Sequence, residues 1–449
     1  MIEIINDSML YLDEYIKPNT IDSIVTDPPY ELNFMNKGWD NAGVSFNKDT
    51  WKKCYEVLKP GGYLLAFGGS RTFHRIACAI EDAGFEIRDC IMWLYGSGFP
   101  KSMNLGLAID KKNGVESKVV GTGKSGSTSK AFNLSDQQRE AGTGILAGEY
   151  HIKEALNQWN GWGTCLKPAF EPIIVARKPF KGSLVDNVLE YGVGGLNIDA
   201  CRVEYEKSTN PATNPLYRQQ NADKYKQVKG GEVSKGAVSW TSGKNGVNEQ
   251  GRFPANVILT YDETDFDEVC GGFPYTKSTG GSGEKSIQSA SATFQNFSGN
   301  KKEQKAGSNL GGLGDEGSAA RYFYCAKASK KDRDEGLDEF EEQRKLGYGY
   351  KNKIDPTSRT NEGMFKERET QRKNIHPTVK PTSLMQYLIR LVTPKGGTVL
   401  DPFMGSGSTG KAVAYENKER DANYSFIGVE LNEEYCDIAE ARITYATKN

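Results

Sequence analysis

Only three histidines (His74, His151 and His376) occur in 449 residues, and the eight cysteines are scattered with no C-x-x-C spacing. A zinc site or a disulfide framework needs such side chains clustered, so neither is expected, and scattered thiols suit a reducing compartment. No apolar run approaches the roughly 18 residues that cross a bilayer, and the opening Met1-Ile-Glu-Ile-Ile-Asn-Asp7 carries no basic leader. Net charge is nearly absent too, with 57 Lys plus Arg against 58 Asp plus Glu. A nucleic-acid partner would therefore have to be held by local positive surface. These absences predict a soluble cytoplasmic chain with no metal and no membrane. At this length one ordinary core is not enough, so two domains, or one with a large insertion, are expected.

What is present is organised around Ile21-Asp-Ser-Ile-Val-Thr-Asp-Pro-Pro-Tyr30, a hydrophobic strand running into a stiff turn. Two consecutive prolines fix φ and donate no N–H, leaving a turn rich in acceptors. Asp27 and the Pro28 carbonyl can accept the two protons of an amino group while Tyr30 stacks on a flat ring. An ordinary turn with a surface tyrosine is the plainer alternative. Around this turn the spacing predicts a strand over Ile2–Ile5, a short capped helix over Ser8–Ile16, and a loop from Glu31 to Phe46 containing Trp39. A helix over Phe46–Leu58, a buried strand over Tyr63–Phe67, a helix over Arg71–Ala83 and a strand over Phe85–Tyr95 follow. This alternation is the signature of a doubly wound α/β sheet, whose ligands sit at the carboxyl ends of the strands.

From Gly96 the pattern loosens. A helix is predicted at Leu105–Lys112, Gly121–Gly148 is rich in Gly, Ser and Thr, and Ile173–Ala176 reads as one more buried strand, the last of the sheet. Leu196–Val203, Phe253–Leu259 and Tyr322–Ala326 are strand-like pieces between the polar stretches Ser208–Gly251 and Gly280–Gly317. Between Arg344 and Lys380 ten Lys plus Arg face four acids, with Tyr348, Tyr350 and Phe365 interleaved. Such a composition suits a phosphate backbone and splayed bases, or simply a solvated loop. Regularity returns with a helix over Pro381–Leu391, a strand over Thr398–Asp401, a glycine loop, a helix over Ser408–Asn417, a strand over Tyr424–Glu430 and a helix over Asn432–Tyr445.

The loop Pro402-Phe-Met-Gly405-Ser-Gly407-Ser-Thr-Gly410-Lys411 admits three readings. As G-x-x-x-x-G-K it resembles a phosphate loop, but Ala412 stands where a Ser or Thr hydroxyl would hold magnesium. As G-x-G-x-x-G it suits a dinucleotide. The third reading uses the acids as well: Asp401 ends the strand before the loop and Glu430 ends the next, where a carboxylate suits ribose hydroxyls. That combination fits S-adenosylmethionine. A plain glycine-rich helix start beside an exposed acid is the bland alternative.

Together the two motifs resemble the amino-methylating DNA methyltransferases, in the β-type circular permutation where Asp27-Pro-Pro-Tyr30 precedes Phe403-Met-Gly405-Ser-Gly407. His376-Pro-Thr-Val-Lys-Pro381 resembles that family's lead-in to the cofactor strand, and Gly96-Ser-Gly-Phe-Pro-Lys-Ser, Leu166-Lys-Pro-Ala-Phe-Glu-Pro, Gly251-Arg-Phe-Pro-Ala-Asn and Tyr322-Phe-Tyr-Cys-Ala-Lys resemble a branch common in phages and prophages. The resemblance implies a permuted Rossmann-like methyltransferase sheet with a large inserted target-recognition region. Its parts would be residues 1–180 as the catalytic half (with a loop insertion at about 97–165), 181–375 as the DNA-binding region, and 376–449 as the cofactor half. It implies that Phe403, Gly405, Gly407 and Thr409 wrap the methionine end of S-adenosylmethionine. Asp401 would fix the loop or the amino group, Glu430 the ribose, and Asp7 the adenine edge, with Thr378 and Lys380 approaching from the preceding loop. Asp27, Pro28 and Tyr30 would hold the target base, Pro29 would shape the turn, and Asp27 would also face the cofactor.

The activity implied is methyl transfer to a base flipped out of double-stranded DNA, by direct in-line attack of its exocyclic amine. Asp at the first motif position leans to adenine N6 in that family and Ser to cytosine N4, so adenine is expected and cytosine is the alternative. A protein-glutamine methyltransferase, which usually has Asn in place of Asp27, and an inactive DNA-binding relative are further alternatives. A cytosine-C5 enzyme needs a Pro-Cys motif, and no cysteine here follows a proline. The resemblance also implies a role in, or beside, restriction-modification at the nucleoid of a prokaryotic or phage-infected cell. Dimers are frequent in this permutation class, so a homodimer is among the expected assemblies.

Overall fold

The computed structural model describes residues 1–32, 43–95, 102–124, 149–204, 251–260, 275–277, 316–318, 324–325, 330–341, 343–350 and 365–449. Trp39 and its loop, the Gly96–Lys101 turn, and most of Gly121–Gly148, Ser208–Gly251 and Gly280–Gly317 lie outside them.

Nine strands form one sheet: β1 (Ile2–Asn6), β2 (Ile21–Thr26), β3 (Leu58–Phe67), β4 (Glu86–Tyr95), β5 (Phe170–Arg177), β6 (Val257–Thr260), β7 (Tyr324–Cys325), β8 (Thr398–Asp401) and β9 (Ser425–Glu430), in the order β1-β9-β8-β2-β3-β5-β4-β6-β7. Among the described strands of the sheet β5 alone runs antiparallel to its neighbours, β3 and β4, and the other described pairings are parallel. The stretch around Ile173–Ala176 is therefore an interior strand, with β6 and β7 lying beyond β4. Parts of the 181–375 stretch thus extend the sheet. Leu196–Val203 does not form a strand: it carries a 3₁₀ turn at Asp199–Cys201, and Val203 makes a single bridge to Arg252.

All six residues of β2 are buried, and their alternation feeds two cores. Ile24 packs with Leu64 and Ala66 against α2 (Lys48–Val57) and α3 (Phe73–Asp82), through Trp51, Cys54, Ile76 and Ile80. Val25, Leu65 and Phe67 join the opposite core with Leu384, Leu388, Val413 and Ile443. Those residues come from α4 (Thr382–Val392), α5 (Ser408–Arg420) and α6 (Glu433–Lys448). Helices thus cover both faces, as a doubly wound sheet requires. The helix starts follow local chemistry: the Asn47 side chain accepts from Asp49 N at the start of α2, and Asn432 accepts from Tyr435 N at the start of α6.

Residues 343–350 and 365–372, within the basic aromatic stretch, pair as an antiparallel two-stranded ribbon. Among the described residues no helix is long and apolar enough to cross a membrane, and no group of three or more His, Cys, Asp or Glu is placed to hold a metal.

Candidate active site

Because β1, β9, β8 and β2 are parallel neighbours, their carboxyl ends deliver Asn6, Glu430, Asp401 and Thr26 to one edge of the sheet. The two motifs, almost the whole chain apart, are joined there by Asp401. Its carboxylate accepts from Thr26 Oγ at 2.6 Å, Thr409 Oγ at 2.5 Å and Phe403 N at 3.1 Å. Burial pushes its pKa up to about 6, against these three donors and with the nearby Asp27 charge adding to the rise. Asp401 is thus a strut that ties the glycine loop to the catalytic strand.

A cavity of about 840 Å³ opens over this edge, a volume suited to a cofactor-sized ligand. Asp7, Phe403, Gly405, Glu430 and Tyr435 line one part of it, and Asp27 to Tyr30, Glu171 and Lys380 another. Gly405 takes a positive φ of 54°, and its N–H donates to Glu430 Oε2 at 2.9 Å. A Cβ at Gly405 would meet His376 Nε2 at 2.8 Å, so the backbone sits against the imidazole as only glycine allows. Asn432 N donates to the other Glu430 oxygen at 2.9 Å, and burial raises the pKa of this carboxyl group. Each oxygen keeps acceptor capacity for a further donor. Asp7 also lines the cavity, its carboxylate held by Ser8 N and the Tyr15 hydroxyl.

Gly407 faces α6. It is absent from the cavity wall, and a Cβ there would lie 2.8 Å from Ala439 Cβ, so its φ of 75° lets the loop pack flush on α6. Thr409 lines the cavity with little exposure, its hydroxyl donating to Asp401. Lys411, the lysine of the phosphate-loop reading, is fully buried and pairs with Asp332 at 2.6 Å and Glu335 at 2.8 Å. A phosphate loop needs that ammonium on the ligand, whereas here Asp332 and Glu335 hold it inside the fold.

Lys380 lines the cavity beside Asp27: its Nζ donates to Asp27 Oδ2 at 2.6 Å and lies 3.4 Å from Glu171 Oε2. The rings of Tyr30 and Phe67 flank it at 5.3 and 5.0 Å. Burial works against its charge, but the two carboxylates outweigh it and hold Lys380 above its ordinary pKa. Tyr30 donates its hydroxyl to Glu171 Oε2 at 2.8 Å; burial, then the Asp27 and Glu171 charges, raises this phenol well above its usual range. Asp27 Oδ1 is buried and has no hydrogen-bond partner among the described residues. Thr378 lines the cavity, its carbonyl against His376 Nδ1. Burial lowers the His376 pKa to about 4, so the ring is neutral at physiological pH.

Glu171 and His376 were not among the residues singled out from the sequence. Both lie inside quoted segments, and a Glu two residues before a buried apolar run, in a chain so poor in histidine, was the available signal. With Lys380 set between Asp27 and Glu171 and His376 neutral, Asp7 and Glu430 leave the part of the cavity they line negative. That fits S-adenosylmethionine, which carries a sulfonium and an ammonium: the acids match its charges, the Gly405 backbone admits close approach, and the Glu430 oxygens can accept from hydroxyl donors.

Comparison with known proteins agrees. Orphan methyltransferase M.BamHII of Bacillus amyloliquefaciens is 41% identical over 68 residues, 15% of this chain and 23% of that protein. Type II methyltransferase M2.DpnII of Streptococcus pneumoniae is 43% identical over 113 residues, 21% and 41% of the two chains. M2.LlaDCHI of Lactococcus lactis subsp. cremoris is 26% identical over 215 residues, 41% and 75%. The first four such relatives are matched over only 23% to 41% of their own length. The crystal structure of the M1.HpyAVI–SAM complex aligns over 99% of both chains at 14% identity with a TM-score of 0.35, too low to bear on this chain. A family model described as DNA methylase matches residues 21–441, both motifs included. The chain therefore belongs to the N6/N4 DNA methylase family, and its cofactor is S-adenosylmethionine.

Proposed function

We propose that this protein methylates the exocyclic N6 amine of an adenine flipped out of duplex DNA. The observation that carries the reading is Asp27 Oδ1, a buried carboxylate oxygen without a partner among the described residues, in one cavity with Gly405 and Glu430. Leaving such an acceptor unpaired costs on the order of 1–3 kcal/mol, more for a charged group, unless a ligand donates to it. An amine N–H is such a donor.

S-adenosylmethionine, when bound, supplies a methyl group made electrophilic by its sulfonium. The chain's own residues do the rest. Lys380 fixes Asp27 by Oδ2 and leaves Oδ1 to accept one amine proton, while the Pro28 carbonyl accepts the second. These bonds favour a pyramidal nitrogen whose lone pair is released from the ring, and they stabilise the positive charge that develops on it. The Tyr30 ring, fixed through its hydroxyl, replaces the stacking lost on flipping. Glu430 holds the ribose, Gly405 and Phe403 the methionine end, and Asp7 the adenine edge. Residues 181–375 carry target recognition in this reading, with the 343–350 and 365–372 ribbon inside that stretch.

The test is incubation of the protein with methyl-labelled cofactor and unmethylated genomic DNA, followed by digestion to nucleosides. Label in N6-methyladenine is expected; label in N4-methylcytosine moves the substrate to cytosine, and label in protein only removes DNA as substrate. Asp27→Ala is expected to lower transfer at least 100-fold, as loss of one preorganised charge-stabilising group does elsewhere. Its cofactor affinity should change little; surviving activity would refute the role given to this carboxylate.

A further inference from the structure

Glu171 anchors the Tyr30 hydroxyl, and its charge at the cavity wall has a further use. β5 runs against its neighbours, so its amino end lies where the other strands have their carboxyl ends, and Glu171 enters there opposite Asp27. Tyr30 donates to its Oε2 at 2.8 Å and Tyr95 to its Oε1 at 3.3 Å. Lys380 lies between the two carboxylates, 2.6 Å from Asp27 and 3.4 Å from Glu171, with its side chain 8% exposed. Two carboxylates around one ammonium leave the cluster one negative charge in excess. Were holding Asp27 in place the only need, a neutral Asp27–Lys380 pair would suffice at lower desolvation cost.

The reaction creates a need for that excess. As the amine nitrogen forms its bond to the methyl carbon, the sulfur–carbon bond breaks and its electron pair stays on sulfur. The nitrogen, now cationic, must release one proton. We propose that Glu171 is a positioning residue that makes Asp27 able to take this proton, by serving as the counter-charge of Lys380 once Asp27 Oδ1 is protonated. This rests on the amine-methylation reading. Without Glu171, protonating Asp27 would strand a buried ammonium with no anion beside it. With Glu171, the proton takes the cluster from one negative charge to none. Of the other titratable groups at this wall, Asp401 has both oxygens bonded to Thr26, Thr409 and Phe403, His376 is neutral, and Tyr30 and Tyr95 donate to Glu171. Asp27 Oδ1 is the open acceptor among them.

The experiment compares the full-length protein with Glu171→Gln and Lys380→Met, using methyl-labelled cofactor, unmethylated genomic DNA, rates from pH 5.5 to 9, and cofactor affinity by calorimetry. Glu171→Gln keeps the shape and is expected to bind cofactor within about twofold of wild type. Its kcat should fall about 10- to 100-fold, within the range of acid–base effects. The acid limb of its pH–rate profile should move to lower pH, because removing one negative neighbour makes Asp27 harder to protonate. Lys380→Met should move the same limb to higher pH. Glu171→Gln with kcat within threefold of wild type, an acid limb unmoved in both variants, or matched losses of kcat and cofactor affinity would each overturn the assignment. A wild-type protein that binds cofactor but labels no DNA would instead remove the methylation reading, and the assignment with it.

Discussion

Replacing Lys380 by Met tests the charge arrangement of the cavity through stability alone. The substitution keeps the aliphatic stem between Tyr30 and Phe67 and removes only the ammonium. At 2.6 and 3.4 Å, with an effective dielectric of about 20, its attractions to Asp27 and Glu171 are each about 5–6 kcal/mol before desolvation is subtracted. Removing one partner of a buried pair costs about 3–5 kcal/mol, and we expect a loss in that range at pH 8. The two carboxylates left facing each other would then repel, and uptake of a proton by the pair relieves that repulsion. Such groups favour the folded state at low pH and lose that contribution as pH rises. The deficit should therefore shrink between pH 8 and pH 5, as one of them takes up a proton. Adding Glu171→Gln to Lys380→Met removes one of the two charges and should restore about half of the loss. Denaturant unfolding at both pH values, followed by tryptophan fluorescence and circular dichroism, measures each quantity. A loss under about 1 kcal/mol at pH 8, or one that does not vary with pH, would mean that Lys380 does not hold the carboxylates as described.

Two further outcomes are expected. Gly407→Ala forces a left-handed backbone on alanine, about 1–2 kcal/mol, and drives a methyl group into Ala439, about 1–3 kcal/mol more. It should lower the unfolding midpoint while cofactor affinity of the folded protein stays within threefold; full stability with weakened binding would instead make Gly407 a cofactor residue. Asp401, raised from 3.8 to about 6 by burial, binds a proton more tightly folded than unfolded. Its contribution to stability is full below about pH 4 and falls by on the order of 3 kcal/mol as pH rises through 6. Asp401→Asn should flatten the stability curve across that window, and parallel curves for the two proteins would refute the assignment.

Much of the parallel framework was legible because burial on both faces leaves continuous apolar runs, as at Ile21–Thr26 and Tyr63–Phe67, and because glycines and prolines punctuate them. Strand β8 was predicted at its observed limits, and α4 within one residue. Strand direction was not legible: nothing in Phe170–Arg177 says that it runs backward, so the placement of Glu171 opposite Asp27 could not be read. Side-chain partners were equally hidden. Lys380 was expected near the cofactor from its neighbours in sequence, and the electrostatic demand of Asp27 and Glu171 sets its direction. Gly407 carries the same motif signature as Gly405, but one faces the ligand cavity and the other a helix. Leu196–Val203 looked strand-like from composition, yet its chain turns at Asp199–Cys201, where the Asn197 side chain accepts from Ala200 N.

The strand order also governs how the chain can be made. Within the described sheet β1 pairs only with β9, and one edge of β2 pairs only with β8, so residues 1–180 emerge from a ribosome as a sheet with its middle missing. Thr26 and Asp401, which meet in the finished protein, are 375 positions apart. Closing so long a loop adds little to the equilibrium penalty, about 0.6 kcal/mol per doubling of length, but pairing at such range is slow. Until β8 and β9 arrive, two strands keep open apolar edges that invite pairing with other chains. A nascent chain lacking its last 50 or so residues is therefore without Asp401, the glycine loop and Glu430, and the cavity they line is incomplete.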